Sequence, residues 1–293
     1  MPGVPRAEQS VVAKIHYVRR PNDGEPLETF LYELPEGKSR PSNVDHEEFE
    51  TTITDVRTVS EDFTLEQNGF KLAQLLVPDD INWQDEAEVK RCYYPRLEEL
   101  LLRETGASRV HIFDHTLRHG TAKQSKDQLA RSADKPAPRG QPVVRAHVDY
   151  TLKSGRERLH TLLPDEASRL EKTPYAVIQA WRPLAGPVED SPLAMADAAT
   201  VDQKDLLPNT LHFPGRTGEV YGVAYNPAHR WYYAKGIDTD EAYVFVCYDS
   251  RSNRARFTPH TGFVDPTTRE DAPPRRSVES RAYVFWENET AEA

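Results

Sequence analysis

The residues best placed to do chemistry are His147 and Asp149, two positions apart in Arg145-Ala146-His147-Val148-Asp149-Tyr150-Thr151. On a strand, residues i and i+2 point to one face, so a single strand would aim an imidazole and a carboxylate at one point in space. Two histidines and one carboxylate on one face of a metal ion form the facial triad that holds non-haem Fe(II). The stretch supplies two of those ligands, and a second histidine has to come from elsewhere. Taken alone the pair is a weak signal. A core histidine satisfied by its neighbours fits the same text, and His46 with Glu48 forms a rival pair in an acidic, Pro-flanked stretch that reads as solvated.

Four histidines lie downstream: His160, His212, His229 and His260. His160 falls in a helical stretch and reads as a surface residue. His212 lies in a loop, and His229 sits in a turn that suits packing against Trp231. His260 opens a strand, and 15 residues later Arg275 and Ser277 stand at the head of the last strand. At i and i+2 they share a face and can grip one carboxylate, the arginine through its fork of donors. A diacid co-substrate needs such a grip if its other end chelates a metal. Upstream, positions 111, 113, 115 and 117 share a face if 109–118 is a regular strand. That would bring His111 and His115 together, either as the wall of a pocket or in ordinary strand packing.

The elements that must position these residues are mostly short strands. β-Branched and aromatic runs predict strands at 11–18, 49–59, 109–118, 143–151, 175–181, 192–197, 220–225, 231–234, 242–248, 256–263 and 278–286, with a further short one at 29–34. Asn68-Gly69 between alternating runs predicts a two-residue hairpin over 63–72, with Leu65 opposite Leu72. Helices are expected at 85–92, from Pro95 to a stop at Gly106, and over 157–170. Residues 120–142 read as an exposed loop or lid. About eight short strands with one inserted helix follow residue 109, which suits a sandwich or barrel such as an eight-stranded jelly roll. The expected organisation is a single domain over 1–293, mainly β. Residues 1–108 would form a flanking α+β layer of N-terminal strands and helices, and 109–286 the core.

A chain of 293 residues can bury a sizeable core. Its net charge of −10 argues against a nucleic-acid partner and fits a small-molecule substrate. Cys92 and Cys247, the only cysteines, make no disulfide framework and suggest a reducing, cytoplasmic setting. No apolar run reaches the roughly 18 residues of a membrane span, and the first residues lack the apolar core of a signal peptide. A homodimer is compatible with all of this.

The order His-x-Asp, late His, Arg-x-Ser resembles that of Fe(II)/2-oxoglutarate dioxygenases. The finer text resembles one fungal branch, the hydroxylase/desaturase family, which includes gibberellin desaturase, cephalosporin-methoxylase-related proteins and a meroterpenoid endoperoxidase. The resemblance is carried by Phe113-Asp114-His115-Thr116, Trp181-Arg182-Pro183, Pro192-Leu193-Ala194, Trp231-Tyr232-Tyr233, Asp240-Glu241, Tyr248-Asp249-Ser250, His260-Thr261-Gly262-Phe263-Val264-Asp265-Pro266 and Pro274-Arg275-Arg276-Ser277-Val278-Glu279. It covers roughly residues 109–286. Gly262 stands where the family has Ala, and Arg276 where it has an acidic residue.

The resemblance implies a double-stranded β-helix (jelly roll) holding Fe(II) through His147, Asp149 and His260, with His212 the runner-up for the third place. It implies 2-oxoglutarate and O2 as co-substrates, the distal carboxylate of the first held by Arg275 and Ser277, with Arg281 as the fallback anchor. The implied reaction oxidises an unactivated C–H of a small natural product in fungal secondary metabolism, by hydroxylation, desaturation, cyclisation or endoperoxidation. Phe113, His115, Trp181 and Tyr232 would line the substrate pocket. Two rival readings are an iron oxygenase or oxidase that does not use 2-oxoglutarate and a non-catalytic jelly-roll binding protein. Succinate release separates the first from the dioxygenase, and iron uptake separates the second.

Overall fold

The computed structural model describes residues 9–22, 24–34, 36–121 and 140–290. The loop expected over 120–142 therefore lies, for 122–139, outside the described residues.

Among the described residues, fourteen strands form two sheets: β1 (Ser10–Val18), β2 (Leu27–Phe30), β3 (His46–Asp55), β4 (Phe70–Gln74), β5 (Arg109–Gly120), β6 (His147–Val148), β7 (Tyr175–Pro183), β8 (Leu193–Ala196), β9 (Leu206–Phe213), β10 (Arg216–Val223), β11 (Trp231–Tyr233), β12 (Glu241–Asp249), β13 (His260–Gly262) and β14 (Arg275–Phe285). The larger sheet runs β1-β3-β11-β8-β13-β6-β10-β9-β2, and the smaller β4-β12-β7-β14-β5. A parallel bridge from His16 to Arg145, just ahead of β6, curls the larger sheet back on its first strand.

Alternation explains the layers. On β7, Tyr175, Val177 and Trp181 face the core between the sheets, while Ala176, Ile178 and Ala180 face outward. The outward side is covered by the helix Tyr94–Thr105, which lays Leu97, Leu100 and Leu101 against those small residues. Each such leucine contributes roughly 1.5–3 kcal/mol by leaving water. That helix begins with Pro95 in its first turn and stops at Gly106, whose φ of 66° is the left-handed cap that glycine adopts without strain.

Residues before 109 contribute to both sheets. Their helix covers the smaller sheet, while β1, β3 and β2 extend the two ends of the larger sheet and β4 an edge of the smaller.

Several local expectations are corrected. The hairpin over 63–72 does not form. Asn68 N and Gly69 N both donate to Thr64 O, and the Asn68 side chain accepts from Thr64 N, closing a tight turn. β4 pairs with β12 instead. The helix expected at 157–170 starts earlier and breaks. It runs Leu152–Leu162, capped by a reciprocal Thr151–Ser154 box, and resumes at Ala167–Leu170. His212 lies in a β9–β10 hairpin, not a loop, because Gly215 at φ 75° supplies the turn.

The regular face expected at 111, 113, 115 and 117 is broken by a β-bulge. Arg281 pairs with Asp114 and Ala282 with Ile112, which leaves Phe113 as the extra residue. Beyond the bulge the parity flips. Asp114, Thr116 and Arg118 turn inward, and His115 turns outward, where its Nδ1 meets Tyr94 Oη at 2.9 Å. His115 is therefore not a pocket residue.

Candidate metal centre

β6 lies between β10 and β13, and His147 pairs directly with His260 across the β6–β13 ladder. Residues paired across an antiparallel ladder face the same way, so both imidazoles point into the space between the sheets. Asp149 follows on the same face of its chain, just before the Thr151 cap turns the backbone into a helix. One ligand atom each from His147, Asp149 and His260 lies within 4.8 Å of the others. His147 Nε2 is 3.3 Å from Asp149 Oδ1, and His260 Nε2 is 4.0 Å from the same oxygen.

Backbone carbonyls orient both rings. His147 Nδ1 donates to Arg145 O at 2.7 Å, and His260 Nδ1 to Thr258 O at 3.1 Å. With Nδ1 so engaged, each ring turns its Nε2 edge towards Asp149, the edge through which an imidazole can ligate a metal. Burial, reinforced by the neighbouring His147, pushes His260 down to about 4, so it is neutral at physiological pH. Burial alone would raise the Asp149 carboxyl. The Arg281 guanidinium, with His147 and His260, outweighs it and holds that carboxyl well below the usual range. Two imidazole nitrogens and one carboxylate oxygen suit a divalent first-row metal with positions left open.

Beside Asp149 stands Arg281, which the sequence offers only as a fallback anchor for the diacid. Its Nε donates to Asp149 Oδ2 at 2.7 Å, its Nη1 to Asp114 Oδ2 at 3.0 Å and its Nη2 to Glu279 Oε1 at 2.8 Å. Glu279 also accepts from Arg118 Nη2 at 2.6 Å. The signal was available as parity. Arg275, Ser277, Glu279 and Arg281 are spaced by two along one strand and so share its inner face.

Arg275 and Ser277 lie at the start of that row. Arg275 is buried, its Nη1 donates to Ser191 O at 2.7 Å, and its guanidinium carbon stands 5.4 Å from the Trp181 ring centroid. Ser191 adopts a left-handed φ of 51°, rare for a residue with a side chain and frequent at ligand-binding sites. Arg275 Nε and Ser277 Oγ are both buried without a hydrogen-bond partner. Buried donors are seldom left unpaired, so the two together make a cradle suited to one carboxylate. A Cβ on Gly262 would lie 3.6 Å from Arg275 Nη1. Gly262 is two residues beyond His260, roughly 7 Å along a strand, a span that a five-carbon diacid can bridge.

Of the expected pocket residues, Trp181 and Tyr232 face the core between the sheets, the latter with its ring 4.7 Å from that of Phe63. Phe113 packs at 5.4 Å against Tyr283. The rival histidines are placed elsewhere. His212 stacks on Phe30 at 4.4 Å at the far end of the larger sheet. His229 is buried 3.3 Å from Asp205 and stacks on Tyr17. His160 is paired with Glu171 at the surface.

The chain is similar to several known proteins. A family model described as an oxidoreductase/YMDC permease-like domain matches residues 15–285. The hydroxylase/desaturase efuI of Hormonema carpetanum is 30% identical over 298 residues, covering 97% of this chain and 97% of that protein. The alpha-ketoglutarate-dependent dioxygenase phiK of a fungal species is 33% identical over 98% of this chain and 100% of its own length. A solved structure of the iron and alpha-ketoglutarate-dependent endoperoxidase NvfI superposes with a TM-score of 0.81 at 25% identity, over 94% of this chain and 98% of that one.

Proposed function

The chain belongs to the fungal hydroxylase/desaturase family, and from that premise we propose the roles of its residues as an Fe(II)/2-oxoglutarate-dependent dioxygenase. The observation that carries the assignment is the convergence of His147, Asp149 and His260. In this reading those three hold Fe(II), and the carbonyl-locked Nδ1 atoms keep both imidazoles aimed. Arg281 occupies Asp149 Oδ2 and leaves Oδ1 for the metal. Arg275 Nε and Ser277 Oγ receive the distal carboxylate of 2-oxoglutarate, which supplies the partner both lack. When bound, Fe(II) with 2-oxoglutarate and O2 provides an oxidant able to break an unactivated C–H bond, with succinate as co-product. The protein's own part is placement and exclusion of water. Phe245, 4.8 Å from the His260 ring, with Trp181 and Tyr232, gives the site apolar walls.

The substrate is a small natural product of fungal secondary metabolism. Hydroxylation, desaturation, cyclisation and endoperoxidation all begin with the same hydrogen abstraction. The net charge of −10 supports action without nucleic acid. No described helix is long and apolar enough to cross a membrane. Two free cysteines support a cytoplasmic setting. A homodimer is the proposed assembly. It is supported by the exposed Leu31, Tyr32 and Leu34, which follow the edge strand β2.

The test is an anaerobic titration of Fe(II) with 2-oxoglutarate present. A visible metal-to-ligand charge-transfer band, followed by stoichiometric succinate on admission of O2, is the expected result. Iron uptake without the band would favour an oxygenase independent of 2-oxoglutarate.

A further inference from the structure

Arg145 stands two residues before His147, and burial alternates along this segment. Val144, Ala146 and Val148 are buried, while Arg145, His147 and Asp149 are only partly so. The buried residues Ala146 and Val148 belong to the core. Arg145 therefore shares the face of the metal-facing histidine, opposite Ala146 and Val148. Its backbone is fixed from two sides. His147 Nδ1 donates to Arg145 O, and Ala146 N donates to His16 O at 2.9 Å. The parallel bridge between His16 and Arg145 sets β1 alongside, and β1 carries β3 with His46 and Glu48 on its other edge.

This arginine differs from the others of the site. Arg281 and Arg118 are paired with carboxylates, and Arg275 with a carbonyl. Arg145 makes no ion pair among the described residues. Glu48, across β1, is engaged by Lys14 at 2.7 Å and lies 3.6 Å from His16. Burial, with Arg145 and His16 nearby, pushes His46 down to about 3, so it stays a neutral imidazole beside the cation. A half-buried guanidinium without a counter-charge among the described residues loses part of its hydration uncompensated. The loss is offset when a ligand brings the anion, and a guanidinium recognises a carboxylate through two parallel hydrogen bonds.

We propose that Arg145, with His16 and His46 beside it, is a carboxylate subsite for the organic substrate, and that it fixes which C–H bond faces the metal centre. The substrate class is thus an acid, ionised at neutral pH, anchored at a residue two positions from a ligand. The subsite rests on the dioxygenase reading only for its purpose. Its anion binding can be measured apart from turnover.

The experiment compares 1-naphthoate with its neutral isostere 1-naphthamide by calorimetric titration. The protein is loaded anaerobically with Fe(II) and saturating 2-oxoglutarate. The acid is expected to bind at least tenfold more tightly than the amide. Arg145→Met should abolish the preference, and Arg145→Lys, which keeps the charge, should retain part of it and guard against a folding defect. Equal behaviour of acid and amide, including no binding of either, overturns the proposal, as does an acid preference that survives in Arg145→Met. A preference that disappears as 2-oxoglutarate is raised places the acid at Arg275 and overturns it too. The charge-transfer band of the chelate reports the dioxygenase reading separately. Its absence in the wild type would sink that reading while leaving the acid–amide comparison interpretable.

Discussion

Arg281 Nε stands 2.7 Å from Asp149 Oδ2, while Asp149 Oδ1 faces His147 Nε2 at 3.3 Å and His260 Nε2 at 4.0 Å. One carboxylate is thus divided between two tasks. A side chain with two rotatable bonds and two equivalent oxygens would otherwise turn freely, and the guanidinium removes that freedom before any metal arrives. Arg281 is itself held by Asp114 and Glu279, and Glu279 by Arg118. The ligand therefore sits at the end of a row of alternating charges on β14 and β5.

Arg281→Met is expected to weaken metal binding roughly 10- to 100-fold, the usual effect of losing a residue that orients a ligand. Equilibrium dialysis against Co(II), with circular dichroism to confirm folding, reads this without turnover. An unchanged affinity would mean that the Arg281–Asp149 pair supports the fold and not the metal. Arg281→Lys should recover part of the loss, since it restores charge but not the fork.

Arg275→Ala should raise the 2-oxoglutarate concentration needed to develop the charge-transfer band. A charge-assisted, buried pair is worth on the order of 2–4 kcal/mol when one partner is left alone, roughly a 30- to 700-fold change. Ser277→Ala should act in the same direction and more weakly, because it removes a neutral donor. If Arg281→Met shifts the 2-oxoglutarate requirement and Arg275→Ala does not, the anchor lies on the wrong residue of β14.

Strand alternation made the Arg275–Ser277 and His147–Asp149 pairs legible, because i and i+2 neighbours need no tertiary information. The pairing of His260 with His147 was not readable from spacing alone, since it depends on which strands become neighbours. The bulge at Phe113 escaped for a related reason. A single extra residue leaves composition unchanged but inverts every later side chain, and so it exchanged His115 for Asp114 on the inner face. The Asn68-Gly69 turn was recognised but assigned to the wrong partner. The Asn68 side chain folds back onto Thr64 N, a local hydrogen bond that competes with strand pairing.

The metal-free protein should lose stability as pH falls from about 7 towards 4. Burial pushes His260 down to about 4 and His46 to about 3, and also lowers His229 and His111. The unfolded chain takes up protons on these residues near pH 6.5, whereas the folded chain resists until lower pH. The unfolded state therefore binds more protons across this window, and the slope favours it as acid is added. Melting temperatures of the metal-free protein at steps from pH 7.5 to 4 should fall already above pH 5, before ordinary carboxylates titrate. A flat profile between pH 7 and 5 would contradict the buried neutral histidines, and His46→Gln should shallow the slope.

The assignment of the third ligand gives the sharpest contrast. His260, His212 and His229 are three buried or half-buried histidines in the same half of the chain, and only one of them meets Asp149. Each should be replaced by Ala and titrated with Fe(II) and 2-oxoglutarate without oxygen. The chelate band is expected to vanish or weaken sharply for His260→Ala, because two ligands cannot hold the metal in a fixed geometry. It should persist for His212→Ala, which loses only a stack on Phe30 and a contact with Glu28 at the sheet edge. It should also persist for His229→Ala, although that variant should melt lower, since it empties a buried position against Tyr17 and Asp205. A band lost in His212→Ala and kept in His260→Ala would contradict both the ligand assignment and the β6–β13 pairing that places it.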